Sequence, residues 1–335
     1  MHNLIHLISQ VIPVSLLAYI ARRLLYNIPV YLGVIFLVMA SLRVYDPVWV
    51  FLGKYATQEK YDQKAEQLEL DRSFVVQYGL FLKRLASLDF DNAKWNSWRY
   101  EGRSVGEMLR RAIFPSLSLT LPALVLTTFF SICVGMISAY FRGRLIDRTL
   151  VIFAVLGMSV SFLAYVIVGQ YVGGYWLKNA WGVQLFAVQG YESGLGHWPY
   201  YCLLPVMISV IVAMGYDTRF YRAALVEETS RDYVTTARAK GVPFWRILFV
   251  HILKNALIPI ISRIMTTLPF LVTGSILLET FFGIPGMGQE LLSAIKNKDF
   301  PVVQVFTAVF AGLYILSIIV TDVLYAWADP RVRLG

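Results

Sequence analysis

Six apolar stretches limit what this sequence can fold into. They are about Leu24–Leu42, Leu117–Tyr140, Thr149–Tyr171, Leu203–Tyr216, Leu257–Leu278 and Val302–Ala326. Each meets or approaches the roughly 20 helical residues needed to cross a hydrocarbon core about 30 Å thick. The fourth is the weakest, because Asp217 and Arg219 interrupt it; its start can be set back toward Trp198. The fifth carries Arg263 near one end and Glu279 at the other, and the sixth is uncharged until Asp322. Composition agrees. The 335 residues are 57% hydrophobic and 15% charged, where soluble domains carry about a quarter charged residues. An ordinary water-soluble enzyme and a disordered or collagen-like chain are excluded. The fold class read from this pattern is an all-α integral membrane protein with six transmembrane helices.

The formal net charge of +9 fits either a nucleic-acid binder or a membrane protein with a cationic inner side. The positions of the charges decide. Arg22-Arg23 precedes the first stretch, and Arg142-Gly-Arg-Leu-Ile-Asp-Arg148 forms a short basic loop. A longer basic loop runs from Arg219 to Lys254 with Arg222, Arg231, Arg238, Lys240 and Arg246, and Arg331 and Arg333 follow the last stretch. With six spans all of these fall on one side. The other side takes residues Arg43 to Arg111 and the Trp176–Tyr201 and Gly283–Pro301 loops, and the last two carry few cations. The excess of Lys and Arg then places both termini and both basic loops in the cytoplasm. No soluble basic domain is left to bind nucleic acid. Cys133 and Cys202 lie in or beside apolar runs, show no metal-ligand spacing and read as small apolar fillers.

Residues 1–18 carry Asn3, His6, Gln10 and Pro13 as one polar stripe on an otherwise apolar helix. An additional span is weighed and set aside, because Arg22-Arg23 is too short a connection to turn a helical hairpin in lipid. A cleaved signal peptide would need basic residues ahead of the apolar run. An interfacial helix over residues 1–23 is expected, before a first span at 24–42. Residues 43–116 form a small extracytoplasmic segment. Within it, Ser73 to Leu88 has helical apolar spacing at Phe74, Val75, Tyr78, Phe81, Leu82 and Leu85. Residues 117–335 hold the remaining spans and the long basic loop at about 219–256.

No reaction centre is apparent. The sequence has no phosphate-binding Gly-rich loop ending in Gly-Lys-Ser/Thr and no Gly-x-Ser-x-Gly elbow. His2, His6, His197 and His251 are scattered, without zinc spacing. Ser293-Ala-Ile-Lys296 matches a Ser-x-x-Lys pattern without its companion motifs. Gly169 and Gly173 read as a close helix-packing pair. A chain with six spans, no fuel site and a large basic loop reads as a pore-forming subunit driven by something else.

The loop reads Glu227-Glu-Thr-Ser-Arg-Asp-Tyr-Val-Thr-Thr-Ala-Arg-Ala-Lys-Gly241 and continues through Pro243 to Pro259. Ser230 is placed to cap a polar helix, Gly241 to stop it with a positive φ, and Pro243 to start a second helix. Two short helices around a tight turn would make a rigid protrusion able to pass force to the flanking spans. A plain solvated basic loop is the alternative. The run Asp232–Gly241, with His251 and Asn255-Ala-Leu-Ile-Pro259, resembles the ATPase-docking "EAA" loop of permease subunits in ABC importers, in the dipeptide, oligopeptide and nickel branch. Tyr19-Ile-Ala-Arg-Arg-Leu-Leu, Gln77-Tyr78, Leu278-Glu-Thr-Phe-Phe-Gly-Ile-Pro-Gly-Met-Gly288 followed by Asp299-Phe-Pro-Val-Val-Gln304, and Asp329-Pro-Arg-Val-Arg resemble the same family in the same order. The chain departs from that pattern at Thr235, where the loop's name-giving glutamate would stand, and at Asp91, where a glycine usually follows Asp-Phe. Residues 1–18 also extend beyond the usual start.

This resemblance implies a type I importer permease with no catalytic, cofactor or metal site of its own. ATP and Mg would sit on partner ATPases. The implied partners are a second homologous permease, two ATPase subunits and an extracytoplasmic substrate-binding protein, in the bacterial inner membrane and its lipid. Asp232, Tyr233, Ala237, Ala239, Lys240, Gly241 and Arg246 are the expected coupling residues. Ala237 and Ala239 would let the helix sit deep in a groove of the ATPase; ordinary loop surface is the alternative for each. Asp217, Arg263, Glu279 and Asp322 are candidate path or gate residues, because charge is costly in lipid. Their places near span ends equally fit a boundary role. The cargo read is di- or oligopeptides, with nickel or another small solute of the same branch as the alternative. An integral-membrane enzyme and a self-contained channel or carrier are the rivals from other classes.

Overall fold

The computed structural model describes residues 14–328, apart from 45, 53–56, 68–69, 71, 89, 92–95, 101 and 274–275. The described residues are helical almost throughout; Asn96 and Ser104 make an isolated bridge. Lipid leaves no water for backbone N–H and C=O groups, and a helix satisfies them within itself.

Among the described residues five helices are long and apolar enough to cross a membrane, and a bent pair, numbered here as span 3, brings the number to six if the pair is counted as one span. Span 1 is Val14–Leu42, so residues 14–23, read from the sequence as part of a separate interfacial helix, open this span as one continuous helix. Residues 1–13 and the tail from 329, with Arg331 and Arg333, lie outside the described residues. Span 2 is Val105–Tyr140, starting well before the apolar run. At 1.5 Å per residue it is about 54 Å long, nearly twice the hydrocarbon core. Its first turns carry Glu107, Arg110 and Arg111, which hid the helix from an apolar reading. Span 4 is Trp198–Thr229, reaching back to Trp198 and running on through Asp217 and Arg219. Span 6 is Phe300–Ala328.

Span 3 differs most from its expectation. Leu145–Ser159 and Phe162–Trp181 meet at 90°. Val160 (φ −86°, ψ 137°) and Ser161 (φ −58°, ψ 136°) are extended, which interrupts the helix without a proline or glycine. The Tyr165 hydroxyl donates to the Gly157 carbonyl at 2.9 Å across the bend. The arm Phe162–Trp181 passes through a π turn at Tyr171–Trp176. Gly169 and Gly173 do sit at a close contact: added β-carbons would lie 2.5 Å from Ile208 and 2.9 Å from Leu204 on span 4. Span 5 starts with Phe244–Arg246 and a π turn at Ile247–Ile252, then runs Leu253–Thr273. The apolar run is expected to reach Leu278; residues 274–275 lie outside the described residues, and beyond them Ile276–Phe282 and then Met287–Lys296 are helical.

Among the described residues three apolar cores hold the chain. One joins the helix Phe74–Ala86 to spans 1, 2 and 6 and to Met287–Lys296, through Phe81, Leu85, Met108, Met287 and Phe306. The spacing read over residues 73–88 holds there, except that Val75 is exposed. A second core, around Leu119, Val166, Leu204 and Phe282, includes the fully buried Cys202. The third lies where spans 2, 4 and 5 meet the segment after Thr229.

Candidate functional site

The segment after span 4 is an elbow with defined ends. Ser230 closes span 4 instead of opening the next helix: its N–H and hydroxyl both donate to the Glu227 carbonyl, at 3.3 and 2.8 Å. Arg231 is extended (φ −74°, ψ 150°), and the elbow helix Asp232–Ala239 follows. Asp232 at its first turn and Arg238 at its last complement the helix dipole. The helix stops in a Schellman arrangement: Gly241 N–H donates to Arg238 O at 2.9 Å and Val242 N–H to Ala237 O at 3.2 Å. Gly241 has φ +73°, the conformation a side chain resists. Pro243 then precedes the first turn of span 5 as its N-cap.

The elbow's underside is apolar. Val234 and Ala237 pack with Tyr221, Leu225, Ile247, Leu248 and Ile252 against Met136 and Ala139 of span 2. Ala237 is 8% exposed and faces this core. Its small size lets the elbow lie close on its own spans. Tyr233 is half-buried, and its hydroxyl donates to Glu228 at 2.5 Å. Burial first, then the adjacent Glu228 carboxylate, pushes the phenol above its ordinary pKa. Arg231 pairs with Glu227 at 2.9 Å and Glu228 at 3.6 Å.

The outward face carries Asp232, Arg238, Ala239, Lys240, Gly241 and Arg246, all exposed. Of the seven expected coupling residues, five are on this face, and Ala237 and Tyr233 turn inward. Trp245 was not singled out. It is 58% exposed and stacks on Tyr140 at 5.4 Å, marking the base of the elbow with an aromatic plate. Alternation at i and i+3, Val234 to Ala237, was the sequence signal for the inward face.

The four candidate path residues fall into three separate places. Arg263 of span 5 donates Nε to Asp217 of span 4 at 3.0 Å, bringing two of them together. Asp322 of span 6 pairs with Arg23 of span 1 at 3.2 Å. Glu279 is fully buried. Its carboxylate accepts from the Ser116 hydroxyl at 2.7 Å and from the Gln289 N–H at 2.9 Å, while Ser116 Oγ accepts from Met287 N–H at 2.8 Å. A β-carbon on Gly286 would lie 2.3 Å from the Glu279 carboxyl carbon, so the Gly-rich turn is wrapped around this group. On the same side Asp299 accepts from the backbone N–H of Trp98 at 3.1 Å and Arg99 at 3.3 Å and from the Ser97 hydroxyl. Asp91, where a glycine was expected, accepts from Ser104 at 2.8 Å and from both Nη groups of Arg110, at 2.8 and 3.0 Å. These contacts hold its carboxyl below the usual range. Among the described residues no group of three His, Cys, Asp or Glu side chains could hold a metal ion.

Residues 131–334 match the family described as binding-protein-dependent transport system inner membrane component. The chain is similar to a probable peptide ABC transporter permease protein of Sinorhizobium fredii, 30% identical over 322 residues, covering 94% of this chain and 99% of that protein. It is 30% identical over 267 residues to the dipeptide transport system permease protein DppB of Bacillus subtilis, with 79% and 81% covered. It is 31% identical over 323 residues to the glutathione transport system permease protein GsiC of Shigella flexneri, with 95% and 99% covered. Among solved structures it is similar in fold to a chain of the inward-facing MetNI methionine ABC transporter. There the TM-score is 0.51 at 17% identity, over 66% of this chain and 96% of that one.

Proposed function

We infer the work of this chain from its family: it belongs to the binding-protein-dependent transport system inner membrane components. It is a multi-pass inner-membrane transport component and not an enzyme. We propose that it is the permease subunit of an ATP-driven importer of di- or oligopeptides. A second homologous permease completes the translocation path, an extracytoplasmic binding protein delivers the peptide, and two ATPase subunits, carrying ATP and Mg, engage the cytoplasmic elbows. Relatives named for peptide, dipeptide and glutathione transport support the cargo class.

The observation that carries this reading is the elbow itself. A short helix with a fixed glycine stop is packed by its apolar underside onto spans 2, 4 and 5, and it turns charged residues outward. Movement imposed on that helix reaches three spans through closely packed side chains, so nucleotide-driven closure of the ATPases becomes rocking of the spans. Asp232, Ala239, Lys240, Gly241 and Arg246 make the contact surface, whose charges set encounter and register. Tyr233 and Ala237 hold that surface in place from within. The Asp217–Arg263 and Arg23–Asp322 pairs fasten neighbouring spans, and Glu279 fixes the outer turn. Both termini lie on the elbow's side, in the cytoplasm.

The test is reconstitution of the chain with its cognate permease, ATPases and binding protein in vesicles. ATP-dependent uptake of a labelled dipeptide is expected. Gly241→Asp should insert normally and keep ATP hydrolysis while uptake falls. Unchanged uptake by Gly241→Asp, or uptake without the ATPases, overturns the reading.

A further inference from the structure

Upstream of the elbow, on span 4, Arg222 lies between Tyr221 and Leu225, both part of the apolar core under the elbow. Its guanidinium grips Asp147 with two parallel bonds, Nε to Oδ1 at 2.7 Å and Nη2 to Oδ2 at 2.7 Å. Asp147 is 4% exposed and sits in the first turn of the inner arm of span 3. The same carboxylate accepts from the Ser138 hydroxyl near the end of span 2, and from the Gly143 N–H at 2.9 Å in the connecting turn. Arg222 Nε also reaches Ser138 Oγ at 3.0 Å. One buried carboxylate therefore ties together the inner ends of spans 2, 3 and 4. Only a planar fork makes this grip; a lysine ammonium would replace two bonds by a point charge.

The inner arm of span 3 touches span 4 a second time. A β-carbon on Gly215 would lie 2.8 Å from the Ala154 carbonyl and 3.1 Å from Met158 N. Pinned at Asp147 and again at Ala154–Met158, the arm is fastened along its length. Its far end meets the break at Val160–Ser161, where the outer arm departs at 90°.

We propose that Asp147 and Arg222 are positioning residues for transport: they lock the inner arm of span 3 to the elbow-bearing span 4, so the two move as one lever with the elbow. The proposal rests on the reading that the elbow is driven by ATPases. A pair serving stability alone would lower assembly or turnover as a whole; a lever link sets how much peptide moves per ATP.

The experiment measures peptide imported per ATP hydrolysed in the reconstituted complex, for Asp147→Asn, Arg222→Gln and Arg222→Lys. Asp147→Asn and Arg222→Gln are expected to assemble, to hydrolyse ATP within about twofold of the unaltered complex, and to import at least about tenfold less peptide per ATP. Arg222→Lys, with the charge but not the fork, should fall between. Arg148→Gln, an exposed change on the same arm, should leave the ratio unchanged. An unchanged ratio in the three clamp variants, including the case where uptake and hydrolysis fall together, overturns the proposal. Should Asp147→Asn fail to assemble, Arg222→Lys decides by the same two outcomes. Gly241→Asp is run in parallel. If it uncouples and the clamp variants do not, the clamp assignment alone falls; if it too stays coupled, the functional reading falls first.

Discussion

The two ends of this bundle are held by different physics. At the outer end, buried carboxylates accept hydrogen bonds from backbone N–H groups and hydroxyls. Glu279 gathers Ser116 and the turn around Gln289, and Asp299 gathers the Ser97–Arg99 loop. At the inner end, the elbow rests on its spans through methyl groups and rings, and the directional bonds are displaced to its root at Asp147 and Arg222. Directional bonds to a buried charge tolerate little displacement. Apolar contact holds an element down while letting its partners repack. Under the proposed function the difference fits an outer end that keeps its shape and an inner end that follows a moving ATPase.

Breaking the outer end should cost most. Glu279→Ala removes the acceptor of a buried hydroxyl and a backbone N–H, which are then unsatisfied; a loss of about 3–5 kcal/mol is expected. Thermal unfolding in detergent should show this as a clear fall in midpoint, with Glu279→Gln less affected. Gly286→Ala should be comparably damaging, because its β-carbon would occupy the carboxyl group's space. Asp299→Ala should follow at about 2–3 kcal/mol, and limited proteolysis should find new cleavage near Ser97–Arg99. Intact thermal stability in Glu279→Ala would remove the contrast between the ends.

The inner end should answer more softly. Val234→Ala deletes two buried methyl groups and should cost about 1–2 kcal/mol. Gly241→Ala should cost about 1 kcal/mol, since open space surrounds the β-carbon and only the positive φ is strained. Lys240→Gln should change stability by less than about 0.5 kcal/mol while weakening ATPase binding in a pull-down at low salt. These values sharpen the comparison, because at the inner end the effect on coupling should exceed the effect on folding.

How much of this was legible in the sequence follows the same division. Apolar length located the spans, and Gly241 marked the elbow's turn, because both are local signals. Three features were not legible. The charges on the first turns of span 2 masked a helix whose polar side chains pair above the core, as Arg110 does with Asp91. The break in span 3 has no breaker residue: Val160 and Ser161 are extended with neither a proline nor a glycine at either position. The clamp joins residues 75 positions apart, Asp147 and Arg222, and a single chain without an alignment carries no signal for such a pair. The side that Ala237 faces was hard to read for a related reason: small size at a contact does not say which side the contact is on, and the signal was its i, i+3 spacing from the buried Val234.

The central claim is that the elbow faces the cytoplasm and is covered there by an ATPase. A Lys240→Cys chain in a Cys133→Ser background, treated with a membrane-impermeant maleimide, tests it directly. Labelling is predicted in inverted vesicles stripped of ATPase, lost when the ATPase is added back, and absent in intact right-side-out vesicles. Labelling from the outside, or equal labelling with and without the ATPase, would contradict the account.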